Sequence, residues 1–107
     1  MKNLKQDVFN TIIKIMDDIA DEDAARKINI NMPVSVAYDR LSLDSLDVIE
    51  VIVRLEKHYG ISIRDDKLQK NVKTFNDLCG LVVECIIEKH KSTLLYRVKQ
   101  MFQKTRK

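Results

Sequence analysis

Between Asp44 and Gly60 runs a stretch, Ser45 to Tyr59, with neither glycine nor proline, in which apolar side chains recur every three or four positions. Val51, Ile52, Leu55 and Tyr59 make one series, and Leu46, Ile49 and Val53 make a second on a rotated face. This spacing fits the 3.6-residue turn of an α-helix and conflicts with the two-residue period of a strand. The ends are also signalled. Asp44 is an N-cap, Asp47 adds a carboxylate to the first turn, and Gly60 is a stop. With two glycines and one proline in 107 residues, and Ile61-Ser62-Ile63 as the best strand signal, the chain is expected to be all-α.

Ser45 stands at the mouth of this helix, framed by Leu43 and Leu46 and preceded by Asp44. As the first helical residue it would project its hydroxyl beside backbone amides that have no intrahelical acceptor, at the positive end of the helix dipole. An anion attached to that hydroxyl would be stabilised there. Equally, Asp44-Ser45 is what a simple capping pair looks like. The second apolar series bears on the choice, because a surface helix in a small domain usually buries one stripe only. Leu46, Ile49 and Val53 are then either additional core or an uncovered docking patch beside Ser45, with Glu50 and Glu56 as its charged rim.

Elsewhere, residues 3 to 20 read as a helix on Leu4, Val8, Ile12, Met16 and Ile19, ending where Asp17, Asp18, Asp21, Glu22 and Asp23 crowd the negative pole. From Arg26 to Leu43 helical period is lost. Ile28, Ile30, Val34, Val36 and Tyr38 alternate with polar residues and Met32-Pro33 blocks a continuous helix, so an extended loop is expected to tuck its apolar side chains under the helices. Asp65 to Lys70 forms a short helix with Leu68 and Val72 inward. Thr74 caps the next, with Asp77 completing a capping box and Phe75, Leu78, Val82, Cys85 and Ile86 on its inner face.

The residues Asp44-Ser45-Leu46-Asp47, Glu50, Leu55, Glu56, Tyr59 and Ile63 resemble the second-helix signature of acyl carrier proteins, and Val72-Lys73-Thr74-Phe75-Asn76-Asp77-Leu78 is similar to the start of that family's last helix. The resemblance spans roughly residues 4 to 89. It implies a four-helix acyl-carrier-like bundle with a long first loop and a short third helix. It further implies that Ser45 carries a 4'-phosphopantetheine arm whose thiol holds acyl groups as thioesters, with Asp44 beside the attachment point. On that reading the protein is not an enzyme. A phosphopantetheinyl transferase modifies it, and acyl-loading and synthase enzymes of fatty-acid, polyketide or related lipid synthesis dock on Leu46, Ile49, Glu50, Val53 and Glu56. Two positions depart from the family pattern. Ser42-Leu43 stands where glycine often precedes the serine, and Lys57 stands where a late acidic residue is common.

Residues 90 to 107 lie beyond the resemblance and divide the chain into a bundle, 1–89, and a basic C-terminal extension. The first part holds 13 Lys/Arg and 16 Asp/Glu, the second six Lys/Arg and no acid, so the net charge of +3 belongs to the tail. Leu94, Leu95, Val98, Met101 and Phe102 form an apolar stripe there, with Lys91, Arg97, Lys99, Lys104, Arg106 and Lys107 around it. Three uses compete: folding back on the bundle, lying on an anionic membrane surface, or docking on a partner. A helical adaptor that binds through this tail, with Ser45 a mere cap, is the rival function. Six positive charges would give nucleic acid only salt-sensitive, unspecific contact.

No catalytic or metal-binding set stands out. Cys79 and Cys85 are six apart on one helix, out of disulfide reach, and His58 and His90 have no partner at ligand spacing. Met1-Lys2 leads into acidic residues without an apolar run, so no signal peptide is expected; with its cysteines read as reduced core residues, the protein is expected to be cytoplasmic, and it is expected to be a monomer.

Overall fold

The computed structural model describes residues 3–21 and 23–105, with side chains described as far as Met101. Expectations for Met1, Lys2, Glu22, Phe102, Lys104, Arg106 and Lys107 fall outside that set. The elements of the described residues are all helices: α1 (Leu4–Ala20), a single 3₁₀ turn (Ala24–Arg26), α2 (Val34–Arg40), α3 (Ser45–Tyr59), α4 (Asp65–Asn71) and α5 (Phe75–Thr105). The helical bundle is as expected, with one helix more.

α2 is the correction, because the expected extended loop carries seven helical residues. Alternation at 34, 36 and 38 concealed the spacing that decides the structure. Val34, Ala37, Tyr38 and Leu41 stand at i, i+3, i+4 and i+7, and Ala37 and Leu41 are buried. Pro33 opens the helix instead of blocking one. It sits at the N-cap, where its missing N–H costs nothing, and its carbonyl accepts from Val36 and Ala37.

The core joins the inward stripes of the long helices. Val8, Ile12 and Met16 of α1, Val51 and Leu55 of α3, and Phe75, Leu78 and Val82 of α5 are almost wholly buried. The Phe9 and Phe75 rings meet edge to face at 5.9 Å. Polar links pin the layers. Tyr59 donates its hydroxyl proton to Thr11 Oγ1, which donates to the Asp7 carbonyl, and Arg54 of α3 pairs with Asp18 of α1. An isolated antiparallel bridge between Pro33 and Thr74 is flanked by backbone bonds from Val34 to Lys73, Phe75 to Met32 and Asn76 to Ile30, and it fixes α2 against the start of α5.

Helix ends follow the sequence signals. α1 stops at Asp21 in the left-handed conformation, and Asp17 turns back to accept from the Ala24 amide. α3 stops at Gly60, φ 62°. At the start of α5, Asp77 accepts from the Thr74 and Lys73 amides, which hold its carboxyl below the usual carboxylate range, while Thr74 Oγ1 accepts from Asp77.

α5 runs unbroken past residue 89 for 31 residues, about 46 Å. Lys89 donates to the Gly60 carbonyl, and every residue from 87 to 101 is exposed. Among the described side chains the tail stripe does not fold back on the bundle. A helix continuing straight carries it into solvent. In chemical denaturation Ile12→Ala or Leu55→Ala should therefore lose about 3 kcal/mol, whereas Leu94→Ala should stay within about 0.5 kcal/mol of wild type.

Candidate functional site

The approach to α3 is fixed before Ser45 is reached. Leu41 is buried, its amide donates to the Ala37 carbonyl, and Leu43 donates to the Tyr38 carbonyl. Ser42 then takes φ 55°, a left-handed conformation costly for any residue with a Cβ. Glycine, with no Cβ, adopts that geometry more readily than serine. Asp44 follows in extended conformation and closes a reciprocal capping box. Its Oδ1 accepts from the Asp47 amide at 2.9 Å, and Asp47 Oδ2 accepts from the Asp44 amide at 3.1 Å.

This arrangement leaves Ser45 as the first residue of α3, exposed, with its hydroxyl in no hydrogen bond among the described residues. The Ser45 and Leu46 amides also lack an acceptor there, because the box uses those of Asp44 and Asp47. The two carboxylates beside the serine are turned onto backbone N–H groups and held. A pendant phosphodiester on Ser45 therefore meets open solvent, two free amides and the positive pole of a helix of 15 residues, an environment that fits such a group.

Leu46 and Ile49 are 73% and 57% exposed on the face next to Ser45, which is large for side chains of their size. Val53, on the same stripe, is half-buried. The acidic rim is more committed than its sequence suggests. Glu50 is exposed and pairs with Arg54 at 3.0 Å, while half-buried Glu56 accepts from the Ile63 amide at 2.8 Å and ties down the segment after Gly60. Arg54 was not singled out from the sequence. It stands four residues after Glu50, a helical pair spacing that could have flagged it, while its bridge to Asp18 is long-range and left no local signal.

Behind this face lies a cavity of about 190 Å³ lined by Val34 and Tyr38 of α2, Val48 and Ile52 of α3, Leu68 of α4 and Val72. Its walls are almost entirely apolar, and burial pushes the Tyr38 phenol above its ordinary pKa. Val48 is one turn along α3 from Ser45, so the attachment point and the recess share an element. Sequence reasoning missed the cavity because it missed α2. The cysteines lie apart from the site: Cys79 is buried in the core and its thiol is pushed up to about 11, which keeps it protonated and unreactive. No group of residues able to hold a metal ion occurs among the described residues.

The family model for the phosphopantetheine attachment site matches residues 11–82. An acyl carrier protein of Lactobacillus acidophilus is 37% identical over 78 residues, covering 73% of this chain and 91% of that protein. One of Cyanophora paradoxa is 31% identical over 88 residues, 81% and 82% of the two chains. The chloroplastic acyl carrier protein 1 of Spinacia oleracea is 32% identical over 79 residues, but this chain spans only 55% of its length. No solved structure matches.

Replacing Ser42 by glycine relieves about 1–2 kcal/mol of left-handed strain against about 0.5–1 kcal/mol of extra unfolded-state entropy. Ser42→Gly should therefore raise stability by about 0.5–1 kcal/mol in denaturant titration, and Asp44→Ala should lower it by about 1 kcal/mol.

Proposed function

Because the chain belongs to the acyl carrier protein family, we propose that Ser45 is the residue on which its prosthetic arm is built. Membership makes the protein an acyl carrier with covalently attached 4'-phosphopantetheine, of the kind used in fatty-acid synthesis, and one that interacts with transferases and synthases. The arm, when present, supplies a terminal thiol that holds an acyl group as a thioester. The observation that supports Ser45 is its exposed, unbonded hydroxyl at the first position of α3, with Asp44 and Asp47 locked onto each other beside it.

The roles of the chain's own residues follow. The Ser45 and Leu46 amides would hold the phosphodiester, and the capping box keeps the helix start in register, so the attachment atom stays in one place. No base stands at hydrogen-bond distance from the Ser45 hydroxyl among the described residues, so activation of the serine falls to the transferase, and the chain is read as a carrier and not a catalyst. Leu46 and Ile49 are the apolar anchors of the docking face, Val53 extends it, and Glu50 and Glu56, already engaged by Arg54 and the Ile63 amide, form its acidic rim, with the acidic body steering basic partner surfaces. Docking of this kind is weak and exchangeable, which suits a protein that visits several enzymes. Residues 1–89 act as the carrier unit and 90–107 as an appendage. A monomer acting in the cytoplasm completes the proposal; no described helix is long and apolar enough to cross a membrane.

The cavity under α2 and α3 is read as the shelter for the first carbons of the acyl chain. Each buried methylene is worth about 0.8 kcal/mol. A medium-chain acyl form should therefore melt above the free-thiol form, and Ile52→Phe, which fills the recess, should shrink that difference.

Incubation with a phosphopantetheinyl transferase and coenzyme A should add the mass of the arm to wild type in intact-protein mass spectrometry and add nothing to Ser45→Ala. A gain that survives Ser45→Ala sinks the assignment.

A further inference from the structure

The face of α5 that packs on the bundle and the face that is apolar beyond it are different faces. Leu78 and Val82 are buried against the other helices, and Lys89 reaches Gly60 from the same side. At about 100° per residue, Ile87, Leu94 and Val98 fall in one narrow strip, with Leu95 at its edge, and this strip stands about 180° from Leu78, Val82 and Lys89. All four side chains are exposed, Leu95 by 67%. α5 continues without a break, so the chain cannot turn this strip onto its own core.

The charge around the strip narrows what can cover it. Arg97 lies along one border and Lys99, with Glu88 beside it, along the other, while Lys91 falls between Ile87 and Leu95, where its aliphatic stem can follow the strip and carry the ammonium outward; residues 87–101 still carry four Lys/Arg against one acid. Residues 90–107 hold six Lys/Arg and no acid, so pairing two copies of this helix sets like charge against like. A surface rich in phosphate answers both features at once. The apolar strip enters the boundary between headgroups and acyl chains, and the flanking cations meet the phosphates. The rest of the chain fits that placement. Residues 1–89 carry 13 Lys/Arg against 16 Asp/Glu, so an anionic surface repels the body while it attracts the tail. The bundle also sits on the side of α5 opposite the strip, which leaves it in water.

We propose that the C-terminal part of α5, residues 87–101, is an anchor for an anionic phospholipid bilayer, lying along its surface with Ile87, Leu94, Leu95 and Val98 inward. The anchor does not depend on what Ser45 carries.

The test uses the full-length protein in co-sedimentation with vesicles of phosphatidylglycerol and phosphatidylcholine, and with vesicles of phosphatidylcholine alone. Wild type should bind the first and not the second, and high salt should weaken binding. Arg97→Glu with Lys99→Glu should lower affinity at least about tenfold, since each cation near the surface is worth about fivefold. Leu94→Glu with Val98→Glu should lower it at least about tenfold as well. These positions are exposed and both variants should keep the circular dichroism of wild type. Both should also still gain the arm's mass from a transferase, so a failed anchor and a failed carrier assignment remain separable. Binding to neither vesicle, equal binding to both, or binding that survives Leu94→Glu with Val98→Glu overturns the proposal. So does a wild-type dimer in sedimentation equilibrium that this pair of substitutions dissociates, which would assign the strip to a second copy.

Discussion

The reciprocal bonds between Asp44 and Asp47 decide where α3 begins, and the geometry of the site follows from that start. An N-cap side chain that accepts from the third helical amide prevents the helix from extending backward, and the matching bond to the Asp44 amide prevents it from fraying forward. Ser45 is therefore held at the first helical position, where its side chain points out past the helix end. Burial of Leu41 and Ala37 fixes the other end of the approach, so only Ser42, Leu43 and Asp44 bridge core and site. The chain crosses that short gap by forcing Ser42 into the left-handed region. Strain of this size persists only where surrounding contacts over-determine the conformation, as they do here.

Much of the fold was legible because helical period, caps and stops agree. α1, α3 and the start of α5 have apolar residues at three- and four-residue steps, an acceptor at the N-cap, and a residue in left-handed conformation at the C-terminal ends of α1 and α3. α2 escaped because it is two turns long and lacks a side-chain cap, so a short run of alternating residues outweighed the helical spacing of Val34, Ala37, Tyr38 and Leu41. The cavity escaped with it, since an extended loop has no wall to offer. At the site, the cap and the serine could be read in sequence, whereas periodicity alone left Leu46 and Ile49 open between core and surface and the structure leaves them exposed. The engagement of Glu50 by Arg54 and of Glu56 by Ile63 could not be read in full, because the second of these contacts and the bond from Arg54 to Asp18 join segments that no local pattern relates.

Those engagements change the balance of the proposed docking face. With one carboxylate paired and another bonded to a backbone amide, Leu46 and Ile49 are its exposed side chains without such a commitment, and charge works at longer range through the acidic body. The opposite arrangement holds at the far end of the molecule, where the tail combines an exposed apolar strip with an excess of positive charge. The two ends thus offer different kinds of surface, one apolar with an acidic rim and one apolar with a basic border. α5 spans both environments, its first half buried in the bundle and its second half in solvent, which is why a single helix carries two apolar faces.

The central claim is that a fixed helix start selects one hydroxyl for modification. Ser42 lies three residues away in the same approach, also exposed, and differs chiefly in not standing at a helix N-terminus. Fragmentation mass spectrometry of the proteolytic peptide that contains both serines, taken from the transferase-treated protein, separates them directly. The account predicts that all of the added mass resides on Ser45, and mass on Ser42, or divided between the two, would contradict it.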